Sequence, residues 1–139
     1  MTTATKPDRT IFELLHAAHS LEARLEESLN RAGLSGPKFA VLNELVSADS
    51  ALALSELATR LSCVKSNMTQ LVDRLEADGL VERTSDPNDR RSVRAAITPL
   101  GLERQAAATI EIDQLHAEFS ATIGQNDRAA LARMLKALG

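Results

Sequence analysis

The 139-residue chain has no tryptophan or tyrosine, three phenylalanines and a single cysteine, Cys63. The scarcity of aromatic rings argues against single-strand and RNA-binding surfaces, which stack bases on exposed aromatic side chains. One cysteine excludes an intramolecular disulfide. The sequence also has no membrane-length apolar run and no signal segment near its start, so we expect a soluble, cytoplasmic protein without a membrane partner.

Catalytic motifs are missing as well. The sequence contains no GxSxG, HExxH or P-loop pattern and no glycine-rich dinucleotide motif. His16 and His19 lie one helical turn apart, but zinc needs three or four ligands and the sequence identifies no third one. We therefore expect a protein that is not an enzyme and that needs no cofactor and no metal.

Charge is unevenly distributed along the chain, whose formal net charge is −3. Residues 8–34 carry five acidic and three basic residues, whereas residues 60–94 carry six acidic and seven basic ones. Between residues 83 and 94 there are four arginines and two aspartates, so positive charge is concentrated in one short stretch. Charge alone does not decide whether the partner is a polyanion.

The stretch from Leu54 to Gly101 begins with the pattern of two short helices joined by a tight turn. Ser55 can cap a first helix that ends near Leu61. A second helix, amphipathic in its spacing, is predicted from Lys65 to Ala77. Gly79 suits the left-handed position just past that helix. This order predicts a helix-turn-helix.

A β-hairpin is predicted directly after the second helix. Two short β-prone runs, Val81–Thr84 and Val93–Ile97, flank a segment of turn formers at residues 85–89. A guanidinium on such a narrow ribbon can enter the minor groove of DNA, and a neighbouring aspartate can hold an arginine extended by a charge-assisted hydrogen bond. The candidate residues of this wing are Asp89, Arg90 and Arg91.

The second helix is asymmetric along its length, with polar side chains toward its start and acidic ones toward its end. A recognition helix enters the major groove by its N-terminal residues, where amide side chains can pair with adenine and lysine can reach guanine or phosphate. An ordinary solvated helix face is the alternative when this helix is taken alone. The candidate DNA-contacting residues are Lys65, Ser66, Asn67, Thr69, Gln70 and Arg74.

Helices are also predicted on both sides of this unit. Residues 8–34 show apolar positions at three- and four-residue steps, and Thr98–Pro99 opens a long helix that runs to about Ile123. Asn126 can cap a last helix. These helices carry apolar stripes that a small winged unit cannot fully cover, which favours a homodimer over packing within one chain.

The expected fold class is mainly α with a small β-hairpin wing, in a single domain covering residues 1–139. We expect a winged helix-turn-helix lobe at residues 35–98, called the winged segment below. A helical dimerisation lobe would be formed by both termini, from residues 8–34 and 99–138.

The run from Leu54 to Gly101, about a third of the chain, closely resembles the MarR family of transcriptional regulators. The resemblance implies a homodimer that binds pseudo-palindromic double-stranded DNA sequence-specifically, usually as a repressor released by a small molecule or an oxidant. By position, Asp89 and Arg91 match the wing-tip pair and the helix from Lys65 matches the recognition helix. The matching motifs are Glu56-Leu57-Ala58, Leu71-Val72-Asp73-Arg74-Leu75, Asp78-Gly79-Leu80-Val81-Glu82-Arg83, Asp89-Arg90-Arg91-Ser92 and Ile97-Thr98-Pro99-Leu100-Gly101.

The sequence leaves more than one candidate for the signal that releases the protein from DNA. Effectors of the family often lodge between the dimerisation helices and the DNA-binding lobe, and His16 and His19 are the candidates for a pocket that takes a small aromatic or anionic ligand. Cys63, near the start of the predicted recognition helix, is the candidate for a redox-sensing regulator. A winged helix that binds protein instead of DNA is a further alternative.

Overall fold

Six helices and three strands follow one another in residues 6–139, the part of the chain that this computed structural model describes. The long first and fifth helices come from the two sides of the winged segment. In chain order the elements are α1 (Thr10–Arg31), α2 (Gly36–Ala48), β1 (Leu52–Ala53), α3 (Leu54–Arg60), α4 (Lys65–Ala77), β2 (Val81–Asp86), β3 (Asp89–Ile97), α5 (Pro99–Thr122) and α6 (Gln125–Leu138).

The three strands form one antiparallel sheet in the order β1-β3-β2. The predicted hairpin is confirmed, but its strands are longer than predicted, because the chain turns only at Pro87 and Asn88. Asp86 stabilises this tight turn by accepting a 2.9 Å hydrogen bond from the backbone N–H of Asn88. β1 was not predicted, since only Leu52 and Ala53 pair with β3.

The end of α4 follows the predicted pattern. Gly79 adopts a left-handed conformation with φ of 77°. The N–H of Gly79 bonds to the carbonyl of Glu76 at 3.0 Å, and the N–H of Leu80 bonds to that of Leu75 at 2.9 Å. This pair of bonds is the Schellman motif, which satisfies carbonyls that the helix leaves open. α4 therefore ends at a fixed residue and angle.

Two predicted helix caps are wrong. Pairing of β1 with β3 holds the chain extended up to Ala53, so α3 begins at Leu54 and Ser55 lies inside the helix. The last helix begins at Gln125 with extended Gly124 at its N-cap, and Asn126 lies within its first turn. By contrast, Thr98 caps α5 as predicted, since its side-chain oxygen accepts from the N–H of Gly101 at 3.0 Å.

One hydrophobic core joins the winged segment to its flanking helices. α3 and α4 bury Leu57, Met68, Val72 and Leu75 under the sheet, and Leu29 of α1 and Ala108 of α5 belong to the same cluster. None of the helices in residues 6–139 is long and apolar enough to cross a membrane. The division of this domain into lobes at residues 35–98, 8–34 and 99–138 stays a prediction.

The terminal helices keep large apolar side chains in solvent. None of the residues of α6 is buried. α1 and α5 also expose apolar residues on surfaces that the winged segment does not reach. The most exposed of these side chains on the three helices are Ile11, Phe12, Leu15, Ile110, Met134 and Leu138.

We predict that Gly101→Ala destabilises the protein by about 1 to 3 kcal/mol, the usual range for overpacking a core. An added Cβ would overlap the backbone carbonyl oxygen of Leu80 and come within 2.7 Å of Cγ1 of Ile97. Backbone cannot move aside as cheaply as a flexible side chain. Urea unfolding at a fixed protomer concentration measures the difference.

Gly124→Ala is the matched control, because nothing lies within 4 Å of a Cβ built there. Its effect should stay below about 1 kcal/mol, the size of a changed N-cap preference. Equal losses for the two variants would contradict the close approach of α5 to Leu80.

Candidate nucleic-acid interface

The N-terminal part of α4 presents an exposed polar face. Met68, Val72 and Leu75 recur at four- and three-residue steps and point into the core, which turns the remaining side chains outward. Thr69 uses its hydroxyl within the helix by donating to the carbonyl of Lys65 at 3.0 Å. All six predicted contact residues are exposed: Lys65, Ser66, Asn67, Thr69, Gln70 and Arg74.

Arg83, at the start of the wing, is bound to α4. Its guanidinium forms ion pairs with Asp73 and with Glu76, the latter at 3.0 Å, and donates to the carbonyl of Thr69 at 3.4 Å. The hydrogen bond to Asp73 is the main cause that raises the pKa of Arg83 above its ordinary value. Arg83 therefore fixes the wing against the recognition helix, a role that the sequence pattern did not reveal.

The rest of the wing has one more internal ion pair, between Arg94 and Asp86 at 2.9 Å. The N–H of Asn88, and to a lesser degree Arg94, holds the pKa of Asp86 below its ordinary value. Arg90 and Arg91 are exposed, and neither forms an ion pair within residues 6–139. The wing thus presents these two guanidinium groups to solvent.

Asp89 acts differently from the expectation. Its carboxylate accepts a 3.0 Å hydrogen bond from the backbone N–H of Arg91, where the sequence predicted a bond from an arginine side chain. Asp89, Arg90 and Arg91 also begin β3 instead of occupying the turn, which is formed by Pro87 and Asn88. The aspartate therefore shapes the backbone at the wing tip and leaves the Arg91 side chain unpaired.

Cys63 lies in the turn between α3 and α4. The residue before it, Ser62, has a left-handed conformation with φ of 51°, and the N–H of Cys63 bonds to the carbonyl of Ala58 at 2.8 Å. The thiol is half-buried and donates to the carbonyl of Val64 at 3.5 Å. A change at this sulfur would act on the turn that precedes the recognition helix.

The effector role of His16 and His19 stays a prediction. Both are exposed on α1, and Nδ1 of His19 lies 3.8 Å from Oε2 of Glu22. Neither lines the apolar cleft of about 520 Å³ that α1, α2 and α5 enclose. His116 of α5 lines it instead, one turn before Phe119. The other lining residues are Leu21, Glu22, Leu25, Leu29, Gly36, Phe39, Ile112, Leu115 and Phe119.

No group of three or more histidine, cysteine, aspartate or glutamate side chains in residues 6–139 is arranged to hold a metal ion. A pocket was expected between the flanking helices and the winged segment, and this cleft lies there. Its lining residues were missed, because its walls come from three helices far apart in sequence. The local signals were the spacing of Leu21, Leu25 and Leu29 on α1 and that of Ile112, His116 and Phe119 on α5.

Similarity to known proteins was found at the levels of sequence and structure. Residues 34–93 match the model of the MarR family. The chain is 34% identical over 88 residues to the uncharacterised HTH-type transcriptional regulator YsmB of Bacillus subtilis (strain 168), covering 63% of this chain and 60% of that protein. It is 39% identical over 71 residues to the uncharacterised regulator YkoM of the same organism, covering 51% and 46%. The chain thus spans about half the length of these relatives.

Solved structures resemble the whole described fold. A mutant of MarR from E. coli complexed with operator DNA superimposes with a TM-score of 0.76 at 26% identity, over 96% of this chain and 99% of that one. Wild-type apo MarR from E. coli gives 0.74 at 26% identity, with 98% of both chains covered. The motif match, the curated regulators and the shared winged-helix fold agree. Residues 34–93 therefore form a MarR-like winged helix-turn-helix.

Proposed function

We propose that this protein is a sequence-specific double-stranded-DNA-binding transcriptional regulator that acts as a repressor in the cytoplasm and is not an enzyme. One observation carries the proposal, which is the distribution of unpaired cations in the winged segment. Lys38, Arg60, Arg83 and Arg94 each form ion pairs with nearby carboxylates. The remaining basic residues of the segment form none within residues 6–139, and these are Lys65, Arg74, Arg90 and Arg91.

The four unpaired cations all lie on α4 or at the wing tip. These are the two elements that a winged helix presents to a duplex, the helix to the major groove and the ribbon to the minor groove. An acidic chain with a net charge of −3 can therefore still offer phosphate a locally basic surface. A winged helix that binds protein would not need its free cations sorted in this way.

A homodimer completes the proposed DNA-binding unit. The apolar side chains that α1, α5 and α6 expose would be buried against the same helices of a second copy around a two-fold axis. Two recognition helices would then address half-sites about one helical turn apart, which matches a pseudo-palindromic operator. The exposed apolar side chains of α1, α5 and α6 are the structural observation that supports this dimer.

We predict that the wild-type protein sediments as a dimer at micromolar concentration. Phe12→Glu and Ile110→Glu should each weaken dimerisation at least tenfold, because a carboxylate would be buried without a partner. Val93→Glu on the wing is the control and should remain dimeric. A wild-type monomer that still binds one half-site tightly would contradict the dimer.

We predict that replacing side chains of α4 by alanine impairs DNA binding in a different way from replacing a side chain of the wing. Gln70→Ala and Asn67→Ala should each cost about 1 to 3 kcal/mol and relax base preference at one position per half-site, because base contacts specify. Arg91→Ala should weaken binding to all sequences and reduce the salt slope by about one. Fluorescence anisotropy across a salt series separates the two patterns.

Arg133→Ala is the control for the wing variant, since it removes the same charge from an exposed position of α6. It should leave both the affinity and the salt slope unchanged. Indistinguishable results for the Arg91 and Arg133 variants would refute the wing assignment. If the protein binds no DNA, or if its DNA binding does not depend on salt, the alternative of a winged helix that binds protein is favoured.

The proposed trigger is a small organic ligand in the cleft between α1, α2 and α5. A volume of about 520 Å³ suits a drug-sized molecule, and the walls are mainly aliphatic and aromatic. Glu22 and His116 are the only titratable side chains among the lining residues. An organic anion would therefore meet a carboxylate as well as the histidine, which favours a neutral aromatic ligand over an anionic one.

The cleft also explains how occupancy could change DNA binding. Its walls combine α1 and α5, which belong to the proposed dimerisation lobe, with Gly36 and Phe39 of the winged segment. A ligand there touches both bodies whose relative angle sets the half-site spacing. Different affinities for two spacings are enough to shift the population.

We predict that neutral phenols release the protein from DNA at lower concentrations than the corresponding aromatic acids do. Leu21→Trp, which fills part of the cleft from its rim, should raise the concentration needed at least tenfold. His19→Ala, exposed outside the cleft, is the control and should respond as wild type. Peroxide should release neither wild type nor Cys63→Ser. If peroxide releases only the wild type and no ligand does, Cys63 is the sensor instead.

A further inference from the structure

The winged segment exposes very few large apolar side chains. Within residues 35–98, all of which the structure describes, the two exposed large hydrophobic residues are Val64, 65% exposed, and Val93, 43% exposed. Single exposed hydrophobic residues are common on protein surfaces and by themselves need no explanation. Both of these, however, lie on the elements proposed to meet DNA, Val64 at the start of α4 and Val93 on the wing.

Val64 occupies a position where a polar residue would stabilise the fold. It is the N-cap of α4 and forms no side-chain hydrogen bond to the helix. Ser35 and Thr98, the N-caps of α2 and α5, each accept a hydrogen bond from a backbone N–H of the first turn. Serine and threonine are favoured at N-caps, and valine is among the least favoured residues there. Valine at this position therefore lowers stability relative to a capping residue.

The backbone around Val64 is held in place. Its φ of −69° and ψ of 141° are extended, and its carbonyl accepts bonds from the N–H of Met68 at 3.0 Å and from the thiol of Cys63 at 3.5 Å. Its isopropyl group is therefore attached to a fixed backbone next to Lys65, at the N-terminal end of the helix that is proposed to enter the major groove. The apolar group that the major groove offers is the C5-methyl of thymine.

We propose that Val64 is a specificity-determining residue that packs against the C5-methyl of one thymine in each half-site. The proposal rests on the proposed DNA-binding function and adds a base preference to it. The neighbouring polar residues Lys65, Asn67 and Gln70 can form hydrogen bonds to bases, but they gain no favourable apolar contact from a thymine methyl group. Val64 can, because burying two apolar surfaces together removes both from water.

The test uses a duplex selected from a random-sequence library by the wild-type protein. Each thymine is then replaced by deoxyuridine, which removes only the methyl group. One replacement in each half-site should weaken wild-type binding about 15-fold, because each of the two lost buried methyl groups accounts for about a factor of four. Val64→Ser should bind the thymine duplex about as weakly as wild type binds the deoxyuridine duplex, and should not distinguish the two.

Thermal melting separates recognition from folding. Val64→Ser should melt at a higher temperature than wild type, because serine supplies the missing cap. Weaker recognition in a more stable protein cannot result from misfolding. Val64→Thr keeps one methyl group beside a capping hydroxyl and should restore part of the thymine preference. Val93→Ser is the control and should distinguish thymine from deoxyuridine as wild type does.

The outcomes separate failure of the proposed DNA-binding function from failure of the role proposed for Val64. If the wild-type protein selects no duplex, the proposed function fails and this inference with it. If it selects a duplex but tolerates deoxyuridine at every thymine, or if Val64→Ser keeps the wild-type preference, only the role of Val64 is wrong. A lower melting temperature for Val64→Ser would overturn the stability argument and thereby the proposal.

Discussion

The junction at Leu80 is the constraint on which the rest of the structure depends. The N–H of Leu80 donates to the carbonyl of Leu75 at 2.9 Å, which closes the end of α4. The carbonyl of Leu80 accepts from the N–H of Thr98 at 3.1 Å. The hydroxyl of Thr98 donates to the carbonyl of Gly79 at 2.6 Å, and Gly101 packs directly on Leu80. The recognition helix, the wing and α5 therefore meet at one residue. In the proposed dimer, we expect a rotation of α5 to move α4 through these contacts.

Ion pairing decides which charges of the winged segment are available to a partner. Arg83 forms ion pairs with Asp73 and Glu76, so its positive charge is largely neutralised within the protein. Exposed pairs of this kind add little stability, commonly about 0 to 1 kcal/mol. Their larger effect here is geometric, because they position the wing on α4 and leave Arg91 free. A count of arginines in the sequence cannot make this distinction.

Local signals predicted the parts of the fold that short-range physics determines. Gly79 and the Thr98–Pro99 pair specify helix ends through their own backbone and side-chain preferences, and both predictions are confirmed. The strand at Leu52–Ala53 and the failed cap at Ser55 have one cause, since pairing with Ala95 across more than forty residues decides where α3 begins. The lining residues of the cleft were missed for the same reason, because no single segment contains them.

The position of the cleft connects the proposed ligand to the proposed DNA contact over a short distance. Gly36 lines the cleft, and its N–H donates to Glu26 of α1 at 3.0 Å. Two residues later, Lys38 donates to Asp78, the C-cap of α4, at 2.7 Å. The start of α2 is thus bound to α1 on one side and to the C-terminal end of α4 on the other. We expect a ligand that favours one arrangement of α2 against α1 to bias the position of α4 through these two contacts.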